Sequence, residues 1–208
     1  KKIALYELDR QKSYDYSSAV AIEKQALLEK TRFSIDDLKE ITVEAGRPDS
    51  IMREKLEVLK AHNIGRISIN PQTMQQEATY QDVTKEVIVH LGHRLEQLRE
   101  MGVCDVILDP GFGFAKTLDH NYELMAHLQA FKVLQAPLLV GVSRKSMVYR
   151  LLECTPQEAL NGTTALHTIA LLKGANILRV HDVKAAAEAI SIVKETLKHD
   201  GGGIGTTK

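Results

Sequence analysis

The chain has 208 residues, with 27 Lys and Arg against 27 Asp and Glu, so its formal net charge is zero. A neutral chain lacks the basic excess that binding along nucleic acid or an anionic membrane demands, although a local cationic pocket stays open to it. Two isolated cysteines, Cys104 and Cys154, make neither a disulfide framework nor a metal-ligand cluster, and they fit a reducing, cytoplasmic compartment.

No apolar run reaches the ~18 residues of a membrane span, and the N-terminus lacks the apolar core of a signal peptide. Tryptophan is absent and aromatics are few, which disfavours base-stacking platforms. Neither nucleic acid nor membrane is expected as a partner.

In chain order, "KIALYEL" (2–8) reads as a weak first strand, and residues 10–34 read as largely helical. Residues 1–40 are thus taken as an N-terminal segment of unknown role. Five short apolar runs follow with the length of buried parallel strands: "ITVEA" (41–45), "RISIN" (66–70), "DVILD" (105–109), "LLVGV" (138–142) and "ILRV" (177–180). Helical patterns separate them. One runs from after Pro48 to about His62. Another, over 83–101, places Val83, Val87, Leu91, Leu95, Leu98 and Met101 on one face and stops at Gly102. Residues 163–173 are apolar nearly all round and end at Gly174. Asp182 can cap a last helix whose stripe is Val183, Ala187, Ile190, Val193 and Leu197. The glycine-rich tail, 200–208, reads as flexible.

The strand starts at 41, 66, 105, 138 and 177 lie 25, 39, 33 and 39 residues apart. Repeated βα units give a parallel sheet with helices outside it. A closed eight-stranded barrel takes ~250 residues. Five strands, or six with the first, therefore predict an α/β fold of the TIM-barrel type, a (β/α) parallel barrel that is incomplete and occupies 41–199. Such a barrel leaves two unpaired strand edges, which favour a homo-oligomer.

Functional groups of parallel βα folds gather at the C-terminal ends of the strands. Three ends here are unusually polar: Asp109 with "PGFGFAK" after it, then Ser143, Arg144, Lys145 and Ser146, then Arg179, His181 and Asp182. Arg144, Lys145, Arg179 and His181 could form an anion pocket. Plainer readings stand beside this one: a strand-end Asp can be a helix cap, and an Arg-Lys pair can be a solvated surface feature. His90, His93, His120, His127 and His167 lie in helical stretches and read as surface or packing residues; no metal ligands are expected.

Residues 71–195 closely resemble the C-terminal half of dihydropteroate synthase. The resemblance is carried by "PQTMQQEATYQDVTKEV", "ILDPGFGFAKTLDHNYELM", "LLVGVSRKSM" and "ALNGTTALHTIALLKGANILRVHDV". That family folds as an eight-fold βα barrel and joins p-aminobenzoate to a dihydropterin carrying a diphosphate leaving group, in folate biosynthesis. The resemblance implies catalytic roles for Asp109, Lys145 and Arg179. Asp109 would bond the pterin's amino-pyrimidine edge, and Lys145 its ring polar atoms. Arg179 would stack on the pterin and face the diphosphate, and His181 would hold the diphosphate. Ser143 and Phe114 would line the p-aminobenzoate pocket. Arg144 reads as a loop or ion-pair residue. Mg²⁺ is implied as the companion of the diphosphate.

The family's N-terminal loops do not occur here: there is no "NVTPDSF"-like or "NDISG"-like stretch. Residues 34–74 instead resemble an oxygen-independent coproporphyrinogen oxidase of the radical-SAM class, through "TVEAGRPDS" and "RISINPQTM". That chemistry needs a Cys-x3-Cys-x2-Cys triad, which two distant cysteines do not provide. Glu44 ends a strand there and reads as a structural ion-pair partner. The chain therefore reads as a chimera of two barrel families. The expected function is that of a dihydropteroate synthase-like transferase; the alternative is an inactive barrel fragment that keeps a partial pterin and anion site.

Overall fold

The structure is a computed structural model, and it describes residues 3–7, 21, 40–45, 52–71, 80–113 and 116–199. Most of the helical segment expected over 10–34, and the tail 200–208, lie outside the described residues.

Four strands form one parallel sheet in chain order: β1 Ile3–Glu7, β2 Glu40–Glu44, β3 Arg66–Ile69 and β4 Val106–Leu108. A parallel bridge from Leu108 to Leu138 carries the wall on to β5 Leu139–Val140, which pairs with β6 Ile177–Leu178. Six parallel strands in sequence order make the incomplete barrel wall that the βα spacing predicts. All five of the apolar runs from 41 onward are strands among the described residues, the first shifted by one residue and the other four shortened, and the weak first run is the sixth.

Helices connect the strands: α1 Arg53–Ala61, α2 Val83–Glu100, α3 Leu118–Ala126, a 3-10 helix Leu128–Leu134, α4 Ser146–Tyr149, α5 Leu160–Leu172 and α6 Val183–His199. α2 shows how locally they are encoded. The Asp82 side chain accepts from the Lys85 N–H at 2.9 Å, and Glu86 reaches back to the N–H groups of Gln81 and Asp82. These bonds satisfy amides that the first turn would otherwise leave unpaired. Val83, Val87, Leu91, Leu95 and Leu98 are then buried on one face, each worth about 1.5–3 kcal/mol. Gly102, at φ 82°, ends the helix with Val103 N–H returning to Leu98 O.

The last helix departs from the predicted stripe. α6 buries Ala186, Ala189 and Val193, while Val183, Ile190 and Leu197 are exposed. α6 packs on α5, and small alanines allow the closer approach. The buried face is therefore rotated from the predicted stripe and keeps only Val193 of it. α5 likewise leaves Ile169 and Leu172 exposed.

Strand parity organises the rest. Val43, Ile67, Ile69, Val106, Leu108, Leu138, Val140 and Val142 belong to the core between sheet and helices. Side chains one position away point to the other face, the inside of the barrel. That set is Thr42, Ser68, Ile107 and Leu139, all buried. Continuing two residues along each strand gives Glu44, Asn70, Asp109 and Gly141, and on β6 the step from Ile177 gives Arg179. Every one stands at a C-terminal end.

Candidate functional site

The inward positions at these strand ends converge. Arg179 Nη1 donates to Glu44 Oε2 at 2.7 Å, and its Nη2 to Asp109 Oδ2 at 3.1 Å. In a flat sheet the ends of β2 and β6 would be four strand spacings apart, roughly 19 Å. A direct bond between them requires the wall to curl, so the ion pair marks the mouth of a barrel. Asn70, on β3, donates from Nδ2 to Glu44 Oε1 at 2.7 Å. The strands β2, β3, β4 and β6 thus each contribute one polar group.

Asp109 is 2 % exposed. Burial pushes its carboxyl above the usual carboxylate range, and Arg179, the Gly111 N–H, Lys145 and Lys116 pull it back. The Gly111 N–H donates to Asp109 Oδ1 at 2.8 Å. Gly111 is held at φ 72°, and a Cβ there would meet the Pro71 ring at 2.9 Å. A side chain at 111 would be strained and obstructed, so glycine is the residue that lets this turn cap the carboxylate.

Two lysines flank Asp109. Lys145 Nζ donates to the Phe112 carbonyl. Burial pushes its ammonium down, Asp109 and Glu44 push it up, and Arg179 pushes it down again. Lys116 Nζ donates to the Gly111 carbonyl at 2.8 Å. Its pKa is lowered to about 8, chiefly by burial, against the pull of Asp109 and with the push of Lys145. The loop that carries both Asp109 and Lys116 is held by Asn121, itself 2 % exposed. Asn121 accepts from Gly113 N–H at 2.7 Å and donates to Thr117 O at 2.7 Å and Lys116 O at 3.2 Å.

Among the residues expected to act, Asp109, Lys145 and Arg179 come together. Ser143 is buried, and its hydroxyl accepts from the His181 N–H at 3.2 Å. His181 is exposed at the rim, so the ends of β5 and β6 are joined there. Phe114 lies outside the described residues. Arg144 leaves the expected anion pocket. Its Nε and Nη2 donate to Asp182 at 2.8 and 2.9 Å, and Nη1 to Pro156 O at 2.8 Å. Both oxygens of Asp182 are engaged by this fork. Arg144 sits at φ 51°, in the left-handed region, and its side chain serves to tie the loop after β5 to the loop after β6.

Glu44 is the ion-pair partner that its strand-end position suggests. Its partner, Arg179, could not be read from the sequence. Asn70 and Lys116 are functional candidates the sequence reading missed. Asn70 had a signal, since it is the polar end of a predicted strand on the inward parity. Lys116 had none beyond its nearness to Asp109.

At the C-terminal mouth of this (β/α) barrel wall, carboxylates, an amide and three cations gather, among the described residues, into one polar cluster. Residues 34–181 match the family model described as pterin binding enzyme, and the chain belongs to that family. The match includes the stretch that resembles the oxidase. Dihydropteroate synthase of Escherichia coli K12 is 41 % identical over 165 residues, covering 78 % of this chain and 57 % of that protein. The bifunctional dihydropteroate synthase/dihydropteroate reductase of Helicobacter pylori is 34 % identical over 193 residues, covering 86 % and 51 %. The chain thus spans little more than half the length of these relatives.

Among solved structures, a Yersinia pestis dihydropteroate synthase with a pterine-sulfa conjugate superposes with a TM-score of 0.73 at 28 % identity, covering 95 % of this chain and 83 % of that one. Dihydropteroate synthase of Thermus thermophilus in complex with 4-aminobenzoate gives 0.73 at 26 % identity, covering 93 % and 83 %.

Proposed function

We propose that this chain is a dihydropteroate synthase-like transferase that condenses p-aminobenzoate with a 6-hydroxymethyl-dihydropterin diphosphate. The observation that carries the reading is the meeting of Lys145 and Arg179 around the buried Asp109 at one barrel mouth. In the reaction the C–O bond to the diphosphate breaks, and a C–N bond to the aniline nitrogen forms with loss of its proton. Positive charge develops on the pterin methylene as diphosphate leaves. A carboxylate at the pterin edge stabilises that charge, Lys145 bonds the ring's polar atoms, and Arg179 with His181 stabilises the departing anion. Asn70 and Glu44 extend the set of groups that can meet a ring edge. His181 at the rim suits the outer diphosphate, and Ser143 with Phe114 suits p-aminobenzoate.

No group of three or more His, Cys, Asp and Glu side chains that could hold a metal occurs among the described residues. Mg²⁺, in this reading, arrives with the diphosphate as part of the substrate. A homo-oligomer is supported by Val183, Ile190 and Leu197, exposed apolar residues that share one stripe of α6, which a second copy can cover. No described helix is long and apolar enough to cross a membrane. The cytoplasmic assignment rests on the two free cysteines. The deciding experiment is product formation from p-aminobenzoate and the pterin diphosphate with added Mg²⁺. An inactive barrel fragment, chimeric or truncated, would bind pterin without forming product.

A further inference from the structure

Glu44 is held from two sides. Its side chain is 10 % exposed. One oxygen is fixed by Asn70 at 2.7 Å and the other by Arg179 at 2.7 Å. Asp109 holds the second terminal nitrogen of the same guanidinium. A third support lies beneath. A Cβ at Gly141 would come within 3.0 Å of Arg179 Nε and 3.2 Å of Nη2, so the guanidinium lies against a glycine that leaves room for it. The Arg179 backbone is pinned as well, its N–H donating to Val140 O at 2.9 Å.

We propose that Glu44 is a positioning residue that, together with Asp109, clamps Arg179 across the barrel mouth, and that an incoming polyanion opens this clamp by drawing the guanidinium off both carboxylates. The identity of the anion, a diphosphate ester, rests on the proposed function.

The physical argument is one of competing anions in a desolvated place. Charge pairs inside the mouth are stronger than in water, so an empty mouth favours Arg179 on its two carboxylates. A diphosphate offers the guanidinium several tetrahedrally arranged acceptor oxygens with more charge and can displace each carboxylate. Among the described residues, three cations, Lys116, Lys145 and Arg179, face two carboxylates, Glu44 and Asp109. The closed mouth therefore keeps an excess positive charge that draws an anion in. When Arg179 moves to the anion, Asp109 gives up one cationic partner and becomes available to a ring edge. Capture of the anionic end thereby uncovers the acceptor for the other end. Asn70 keeps Glu44 in place meanwhile.

The test is calorimetric titration of the full chain with inorganic diphosphate, for the parent, Glu44→Gln and Arg179→Ala. Glutamine keeps the shape and removes the competing charge. The expected result is binding about five- to tenfold tighter in Glu44→Gln than in the parent, and weaker in Arg179→Ala. Unchanged or weaker binding by a folded Glu44→Gln overturns the clamp, as does a parent that binds no diphosphate. A second readout needs no variant at position 44. The Nη1 and Nη2 proton resonances of Arg179, which donate to Glu44 and Asp109, should be protected from solvent exchange in the empty parent and shift on adding diphosphate; unmoved resonances overturn the proposal. The two readings fail separately. Diphosphate binding with no pterin binding removes the transferase and leaves the clamp. Pterin binding that Asp109→Ala abolishes, alongside equal diphosphate affinities in parent and Glu44→Gln, removes the clamp alone.

Discussion

Arg179 and Glu44 are 135 residues apart in the chain, and their side chains meet at 2.7 Å. The bond joins the end of the sixth strand to the end of the second. It exists because a parallel wall of successive strands twists and curls, bringing inward-facing strand ends to one mouth. The site is therefore a property of the curled wall, and its energetics can be tested residue by residue.

Asp109→Ala removes the carboxylate that receives the Gly111 N–H and Arg179. Charge-assisted hydrogen bonds are worth ~1.5–3 kcal/mol each, so loss of two to a pterin edge is expected to weaken its binding by about 10²–10⁴-fold. Calorimetry with a pterin diphosphate on parent and variant reads this directly. Similar affinities would remove Asp109 from the pterin site.

Lys116 titrates at about 8 in the folded chain, against 10.5 unperturbed. Between those values the unfolded chain binds the proton better, so folding stability should rise with pH from about 8 to 10.5. Below about 8 the buried charge costs its full amount, on the order of 3 kcal/mol. Lys116→Met should lack this rise. Urea unfolding of both proteins across the window, compared as a difference, is the measurement; parallel curves would mean that the amine is solvated.

Asn121→Leu removes the side-chain acceptor of the Gly113 N–H and a side-chain donor to the Thr117 carbonyl. Each such hydrogen bond contributes about 0.5–1.5 kcal/mol. The variant should lose stability by at least that amount in chemical unfolding, and should bind pterin more weakly because the loop also carries Asp109 and Lys116. A variant with parent stability would show that water replaces the amide.

Arg144 grips Asp182 with two nitrogens and a backbone carbonyl with a third. Lysine has no fork, so Arg144→Lys should lower the thermal midpoint almost as much as Arg144→Ala. The Arg144 hydrogen bond holds Asp182 below the usual carboxylate range. A depressed carboxyl stabilises the fold above its unfolded pKa, and that contribution disappears as pH falls through the folded value. The difference between parent and Arg144→Ala should accordingly shrink toward acid. A constant difference down to the lowest pH at which the chain stays folded would refute the pairing.

Ile190, 42 % exposed on α6, belongs to the stripe proposed to meet a second copy. Ile190→Lys should shift the chain toward monomer in sedimentation velocity while the far-ultraviolet spectrum stays the same. A parent that sediments as a monomer at all concentrations would remove the homo-oligomer.

The strands, their parallel order, the helix α2 with its stop at Gly102, and the polar ends at Asp109, Lys145 and Arg179 were all legible in the sequence. These follow from local rules: period-2 and period-3.6 burial, capping, and the rule that parallel folds act at C-terminal strand ends. Tertiary structure alone decided what each polar end touches. Arg144 and Lys145 are adjacent in the chain, yet one grips Asp182 and the other reaches the Phe112 carbonyl, because a left-handed turn at Arg144 separates their directions. Glu44 was visible as a strand end and Asn70 as another, but their union through Arg179 depends on how far the wall curls. The buried face of α6 was misread for a similar reason: how closely two helices approach is set by the small residues between them, and the hydrophobic stripe of one helix alone does not show it. Local pattern fixes which face a residue takes along its own strand or helix, and distance across the fold fixes which partner it meets.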